Sequence, residues 1–142
     1  PQEAFLAALE AETLRKLGAF LPSELAIACW SFARLSVSRA LFEAIAAEAR
    51  RLTLSSRMER FTASVVLEGL AVGAEGLAWA HYAEMRSCGL RPCAFGVSAL
   101  LSSSEGRRVA SEARLLRDLS QDLSLGTPAL LAAAARLAAS GN

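Results

Sequence analysis

The segment 60–93 constrains the fold more than any other part of the sequence. It holds two helical patterns, a glycine between them and a Gly-x-x-Pro exit. The first pattern is apolar and ends near Gly73, where a glycine permits a tight turn. The second pattern is marked by three residues at helical spacing, namely Ala78, Tyr82 and Met85. Gly89 suits a left-handed helix cap and Pro92 cannot continue a helix, so the segment predicts one helical hairpin.

Other parts of the chain repeat this hairpin at a shift of about 35 residues. The shift superposes Val65 on Leu100, Ala78 on Ala113, and Pro92 on Pro128. Near the start of the chain, Phe5-Leu6 recurs as Leu41-Phe42 at a similar shift. A solenoid requires such a period because each hairpin buries its apolar face on the next one, whereas a four-helix bundle does not. The period therefore predicts a solenoid of about four antiparallel helical hairpins.

Composition favours helices along the whole chain. Apolar residues make up 54% of the sequence and aromatic residues only 6%, and alanine, the strongest helix former, supplies much of the apolar share. Apolar residues recur at helical spacing, with no sustained alternation of the kind that strands show. The predicted helices cover about 5–17, 22–35, 39–52, 58–72, 75–88, 93–103, 107–122 and 128–139. The fold class is therefore predicted to be all-α.

Charge and hydropathy exclude two classes of function. The formal net charge is only +1, so the chain is not a polycation that binds nucleic acid by charge alone. The longest apolar stretch, 123–135, is shorter than the ~18 residues that a membrane span needs, and it contains Pro128, so we expect no membrane span. The chain begins with Pro1 rather than methionine, and we expect a processed product or part of a longer protein.

The sequence offers little chemistry for catalysis or metal binding. Cys29, Cys88 and Cys93 lack CxxC spacing and His81 is the sole histidine, so we expect no zinc site and reduced cysteines. A nucleophile needs a base within hydrogen-bond reach. We expect His81 instead to lie on a helix surface or to pack against another helix. We therefore expect no enzyme, no cofactor and no small-molecule substrate.

Over 60–93 the chain resembles a pentatricopeptide repeat. The residues that carry the resemblance are Ala78, Tyr82, Met85, Gly89 and Pro92. They stand where that family has its alanine, aromatic, methionine, glycine and proline. The segment 93–127 is similar to a second, degenerate copy, and 128–142 to the first helix of a third. The resemblance implies a right-handed α-solenoid, a location in the mitochondrion or chloroplast, and binding to single-stranded RNA.

The upstream part of the chain resembles a different helical repeat. Trp30-Ser31-Phe32-Ala33 is similar to the Trp-Ala-Phe-Ala motif of repeats found beside RAP domains and in octotricopeptide-like organellar proteins. The helical stretch 41–52 follows it, as in such a repeat. We therefore expect N-terminal repeats of this type over 1–57 and pentatricopeptide-like repeats over 58–142, within one continuous solenoid.

The pentatricopeptide resemblance also implies where RNA would be recognised. Members of that family read one base per repeat, with one side chain early in the first helix and one at the end of the repeat. The corresponding pairs in this chain are Ala63 with Cys93, and Ser98 with Pro128. Ser98 is able to hydrogen-bond a base, whereas the other three lack the usual Asn, Asp or Thr chemistry. The candidates for phosphate contacts are arginines near the hairpin ends: Arg57, Arg60, Arg91, Arg107 and Arg108.

Two non-catalytic functions remain open from the sequence. The first is an organellar RNA-binding module, and the second is a scaffold subunit that binds protein neighbours in a large multiprotein or ribonucleoprotein assembly. Trp30, Phe32 and Trp79 are able to stack on bases, but their apolar surroundings at helical spacing predict core positions. A stripe of arginine along the solenoid would favour RNA, and an apolar groove would favour protein.

Overall fold

The computed structural model describes residues 1–35 and 37–103. Within these ranges the chain forms six α-helices and no strand, which confirms the all-α class. The helices are α1 (Gln2–Lys16), α2 (Pro22–Phe32), α3 (Arg39–Leu54), α4 (Arg60–Gly73), α5 (Glu75–Ser87) and α6 (Ala94–Leu101). The helices predicted over 107–122 and 128–139 lie outside the described residues, as do Arg107, Arg108 and Pro128.

Side-chain hydrogen bonds at the helix starts fix where α2 and α3 begin. At the start of α2, Oε1 of Glu24 accepts a hydrogen bond from the backbone N–H of Leu21 at 2.8 Å. At the start of α3, Oγ of Ser38 accepts one from the N–H of Leu41 at 3.3 Å. The Glu10 carboxylate in turn accepts from the N–H and the hydroxyl of Ser38, at 2.9 and 2.7 Å. Ser38, the N-cap residue of α3, therefore also connects α3 to α1.

The two glycines of the α4–α5 hairpin act in different ways. Gly89 follows α5 with a φ of +75°, which confirms the predicted left-handed cap. The turn at the other end is tight, since only Ala74 separates α4 from α5, but Gly73 does not take a positive φ there. A Cβ on Gly73 would lie 2.5 Å from Cζ of Phe42. Gly73 is therefore required by the close approach of the Phe42 ring, and not by the backbone of the turn.

The helices pack in two rows. The first row is α2, α4 and α6, in which α4 contacts both of its neighbours, and the second row contains α3 and α5, which contact each other. The hairpins α2–α3 and α4–α5 join the rows. Each row contributes fully buried side chains to the core, among them Leu25, Leu67 and Leu100 from the first row and Ile45 and Met85 from the second. Both rows thus bury one side of their helices against the other.

Small and polar groups hold α4 close to its neighbours. Cys29 Sγ of α2 lies 3.6 Å from the carbonyl oxygen of Val66, and a Cβ on Gly69 would come within 2.8 Å of that sulfur. On the side of α5, His81 is 1% exposed and lies 2.9 Å from the carbonyl oxygen of Ala63 through Nε2. Because a carbonyl only accepts hydrogen bonds, Nε2 is the donor. The packing position expected for His81 is confirmed.

Candidate ligand-binding face

An exposed apolar surface runs across the first row of helices. We call it the aromatic face and define it by Ile27, Trp30, Phe61, Val65, Val72 and Phe95. The exposed fractions of its most open members are 65% for Ile27, 64% for Phe61 and 57% for Val72. Large apolar side chains that are grouped on a surface mark interaction sites, whereas apolar residues exposed singly are normal. The face is therefore the leading candidate for a binding site among the described residues.

A groove of about 380 Å³ forms the centre of the aromatic face. Trp30 and Ile27 of α2 line one side, and Phe61 and Val65 of α4 line the other. Phe95 closes it from α6, with its ring centroid 5.6 Å from that of Phe61 in an edge-to-face arrangement. The groove therefore has aromatic groups contributed by all three helices of the row.

A second, more polar groove of about 690 Å³ continues the first along α4 and α6. The two grooves share Glu68 and Phe95. Ser98 of α6 and Ser102, which follows that helix, add hydroxyl groups to the second groove, and Val72 adds an apolar wall. A ligand in the first groove has a continuous path into the second.

The charges along these grooves neutralise each other. The guanidinium of Arg34 lies 3.5 Å from the centre of the Trp30 ring, and its Nη1 donates to the Trp30 carbonyl oxygen at 2.7 Å. Nη2 of Arg34 is 3.7 Å from Glu68 Oε1. Arg34 is thus held by one aromatic and one acidic neighbour. Among the described residues that line the two grooves, it is the sole cation.

Two of the predicted arginines, Arg60 and Arg91, meet at one end of the face, and the exposed Arg57 lies three residues before Arg60 in the chain. We call Arg57, Arg60 and Arg91 the basic edge. Nε of Arg60 donates to the carbonyl oxygen of Arg91 at 2.6 Å, and its Nη2 lies 3.4 Å from that of Pro92. A cleft of about 310 Å³ opens between Arg60 and Arg91. The edge adjoins the aromatic face because Arg60 immediately precedes Phe61 in α4.

The predicted base-reading residues are not brought together on one surface. Ala63 is fully buried, and its carbonyl oxygen accepts the hydrogen bond from His81. Cys93 is half-buried, and its backbone N–H donates to Ser64 Oγ at 2.8 Å. Ser98 is half-buried and lines the second groove. Of these candidates, the structure places only the side chain of Ser98 on the candidate site.

The expectation for the three aromatic core residues is wrong at one position. Phe32 is buried and Trp79 is half-buried against the core, but Trp30 is 41% exposed on the aromatic face. Phe61 and Val72 are not among the residues that the sequence predicted to bind a ligand. A signal for them exists, because α4 is apolar on two sides and Phe61, Val65, Glu68 and Val72 follow one another at helical spacing.

The exposed side of the second row has a different character. We call it the charged face and define it by Arg39, Glu43, Arg50 and Glu84. Arg39 and Glu43 pair along α3 at 3.2 Å, and Arg50 of α3 pairs with Glu84 of α5 at 3.3 Å. Partial burial raises the pKa of Glu84, and the charge of Arg50 opposes that rise. This face satisfies its own polar groups and leaves little apolar surface for a ligand.

The described residues hold few groups suited to covalent or metal chemistry. Burial raises the pKa of the Cys29 thiol to about 12, which disfavours the thiolate that a nucleophile or metal ligand requires. Within 1–35 and 37–103, no cluster of three or more His, Cys, Asp or Glu side chains is placed to hold a metal ion. None of the helices in the same ranges combines the length and apolarity that crossing a membrane requires.

Comparison with protein-family models, with curated proteins and with solved structures finds no match for this chain. The resemblance to pentatricopeptide and octotricopeptide-like repeats therefore stays a prediction from the sequence. The assignment of a binding role depends on the geometry of the aromatic face.

Proposed function

We propose that the chain is a non-catalytic helical-repeat module that binds protein through its aromatic face, as a scaffold subunit of a larger assembly. The observation that carries the proposal is the groove lined by Ile27, Trp30, Phe61 and Phe95. Aromatic side chains of this kind dominate the energy of protein interfaces when a partner removes them from water. An organellar location belongs to the same proposal and is supported by the sequence resemblance alone.

A right-handed solenoid is the architecture that we propose for the whole chain. The helices of the first row begin at Pro22, Arg60 and Ala94, at intervals close to the period of the sequence. The contacts of α2 with α4, of α4 with α6 and of α3 with α5 are those expected when hairpins stack in order. Such a stack places equivalent faces of successive helices side by side, which accounts for a continuous groove.

The charge of the grooves favours protein over RNA as the ligand. RNA binding depends on cations that follow the phosphate backbone along the site. Arg34 is the sole cation lining the grooves within the described residues, and it is already paired with Glu68. The fully buried Ala63 offers no functional group to a base. An apolar, internally neutral groove suits the core of a protein interface.

Single-stranded RNA is the second candidate ligand, and one observation favours it. The exposed Trp30 and Phe61 and the half-buried Phe95 line one groove, where unpaired bases are able to stack. Ser98 supplies a hydroxyl beside Phe95 in the second groove. In this alternative, the basic edge would hold phosphates.

Site-specific crosslinking separates the two ligands. A photoreactive phenylalanine analogue replaces Phe61 on the aromatic face or, as the matched control, Glu43 on the charged face. Both variants are irradiated in cell extract with and without nuclease. We expect position 61 to crosslink to protein regardless of nuclease and position 43 to give no specific product. Crosslinks from position 61 that nuclease abolishes would contradict the proposal and support RNA.

A further inference from the structure

The aromatic face has the dimensions of a docking site for one helix. On α4, Phe61, Val65, Glu68 and Val72 form a single stripe, and from Phe61 to Val72 it runs for about 17 Å at 1.5 Å per residue. The neighbouring segments supply parallel stripes. They consist of Ile27 and Trp30 on α2 with Arg34 just after it, and of Phe95 and Ser98 on α6 with Ser102 just after it. Ridges and grooves at helical spacing accept the side chains of another helix.

The two ends of this docking site differ in charge. At the end where α4 and α6 begin, the basic edge contributes three arginines, and Glu59 is the neighbouring acidic residue. The first residues of α4 and α6 have no side-chain cap, so their backbone N–H groups and the positive ends of their dipoles also face this end. Further along α4, the charges of Glu68 and Arg34 offset each other. The docking site is therefore apolar along its length and positively charged at one end.

We propose that the partner is an amphipathic α-helix that lies antiparallel to α4, with its apolar side in the aromatic groove and acidic residues in its last turn beside the basic edge. This inference rests on the proposed function. The antiparallel direction follows because it places the negative C-terminal end of the partner helix beside the positive ends of α4 and α6. Acidic side chains in that last turn would add to the attraction of Arg57 and Arg91.

The position of Arg57 makes the charge contribution testable without disturbing the fold. Arg57 is exposed and lies in the segment before α4, whereas Arg60 is bonded to backbone carbonyl groups. Arg57→Glu therefore changes the charge of the edge and leaves those bonds in place. Arg39→Glu on the charged face is the matched control, because Arg39 is also an exposed arginine near a helix start.

The experiment selects binders of the full chain from a displayed library of helical peptides. Each peptide has 14 residues, which is the length of α4. We expect enriched peptides to carry apolar residues at positions i, i+4, i+7 and i+11, and Asp or Glu in the last turn. The best peptide is then compared with a version in which Gln replaces its acidic residues. On the wild-type chain we expect the acidic peptide to bind about three- to fivefold tighter, an advantage lost in Arg57→Glu and kept in Arg39→Glu.

The other outcomes identify which statement fails. Enriched apolar helices with no acidic preference, and equal affinity for Arg57→Glu, would overturn the charge-directed partner and leave the protein-binding function standing. Absence of any enriched peptide would overturn both, and tight binding of a single-stranded RNA oligonucleotide would then assign the face to RNA. A dimer of the chain alone that Phe61→Ser dissociates would assign the face to a second copy and also overturn the inference.

Discussion

The aromatic face and the charged face are built from similar helices and differ in what they leave in contact with water. On the charged face, α3 buries Leu41, Ile45 and Leu52 on one side and presents arginine and glutamate on the other. On the aromatic face, α4 buries Leu67 and Leu70 and still exposes Phe61. A helix that is apolar on one side needs one partner, and a helix that is apolar on two sides needs a second.

This difference assigns separate roles to the two rows of helices. The second row closes the core and pairs charged side chains on its exposed side, such as Arg50 with Glu84. The first row closes the same core and keeps a groove open between Trp30 and Phe61. We infer that stability depends on both rows and that ligand binding depends on the first alone.

Removing an aromatic side chain from the face should have the largest effect on binding. We expect Phe61→Ser to weaken binding of a selected peptide by at least about 2 kcal/mol, or roughly 30-fold, because buried aromatic groups are interface hot spots. Stability should change by less than about 0.5 kcal/mol, since Phe61 is 64% exposed. Calorimetric titration and thermal unfolding measure the two quantities. Leu54→Ser, at the end of α3, is the matched control, and equal loss of binding in both variants would contradict the division.

Adding one methyl group between α2 and α4 should disrupt the first row. In Gly69→Ala the new Cβ would lie 2.8 Å from Cys29 Sγ and 3.0 Å from the Cys29 carbonyl group, so the two helices must separate. We expect the free energy of unfolding to fall by about 1–3 kcal/mol in urea titrations. Gly76→Ala is the control, because its Cβ would meet only the end of Arg39 at 3.9 Å and alanine favours the helix. Equal stability of the two variants would show that α2 and α4 are not in close contact.

Acid should lower the free energy of unfolding through His81, which connects the two rows of helices. Burial lowers the pKa of His81 in the folded chain below its usual value of 6.5. Below about pH 6.5 the unfolded chain therefore binds a proton that the folded chain does not, and the free energy of unfolding decreases as pH falls. We expect a slope of up to about 1.4 kcal/mol per pH unit in excess of that of His81→Gln. Parallel pH profiles for the two chains, measured by urea unfolding, would rule out a buried neutral His81.

An ion pair of the charged face should matter least. Arg50 and Glu84 lie 3.3 Å apart with the Arg50 side chain largely in solvent, so their coupling should be about 0.2–1 kcal/mol. A double-mutant cycle of Arg50→Ala and Glu84→Ala gives this value from unfolding data. Peptide affinity should not change in any member of the cycle. A loss of affinity in Arg50→Ala would show that the charged face also contacts the ligand.

The sequence predicted the helices well because their signals are local. Apolar spacing, the proline at the start of α2 and the left-handed Gly89 all act within one or two helical turns. The sequence did not predict that Trp30 is exposed while Phe32 is buried, although both lie in apolar surroundings. That outcome depends on which sides of α2 are covered by α3 and α4, which is a tertiary property. The same is true of Ala63, which the family resemblance predicts as a base-reading residue and which the structure buries against His81 of α5.

The most direct test of the central claim uses the fluorescence of Trp30. The chain has two tryptophans, so Trp79→Phe leaves Trp30 as the sole reporter on the aromatic face. The variant is titrated with the selected helical peptide and, separately, with a single-stranded RNA oligonucleotide. We predict that the peptide shifts the emission to shorter wavelength and protects Trp30 from iodide quenching, while RNA leaves both unchanged. Quenching of Trp30 by RNA, with no response to the peptide, would contradict a protein-binding face.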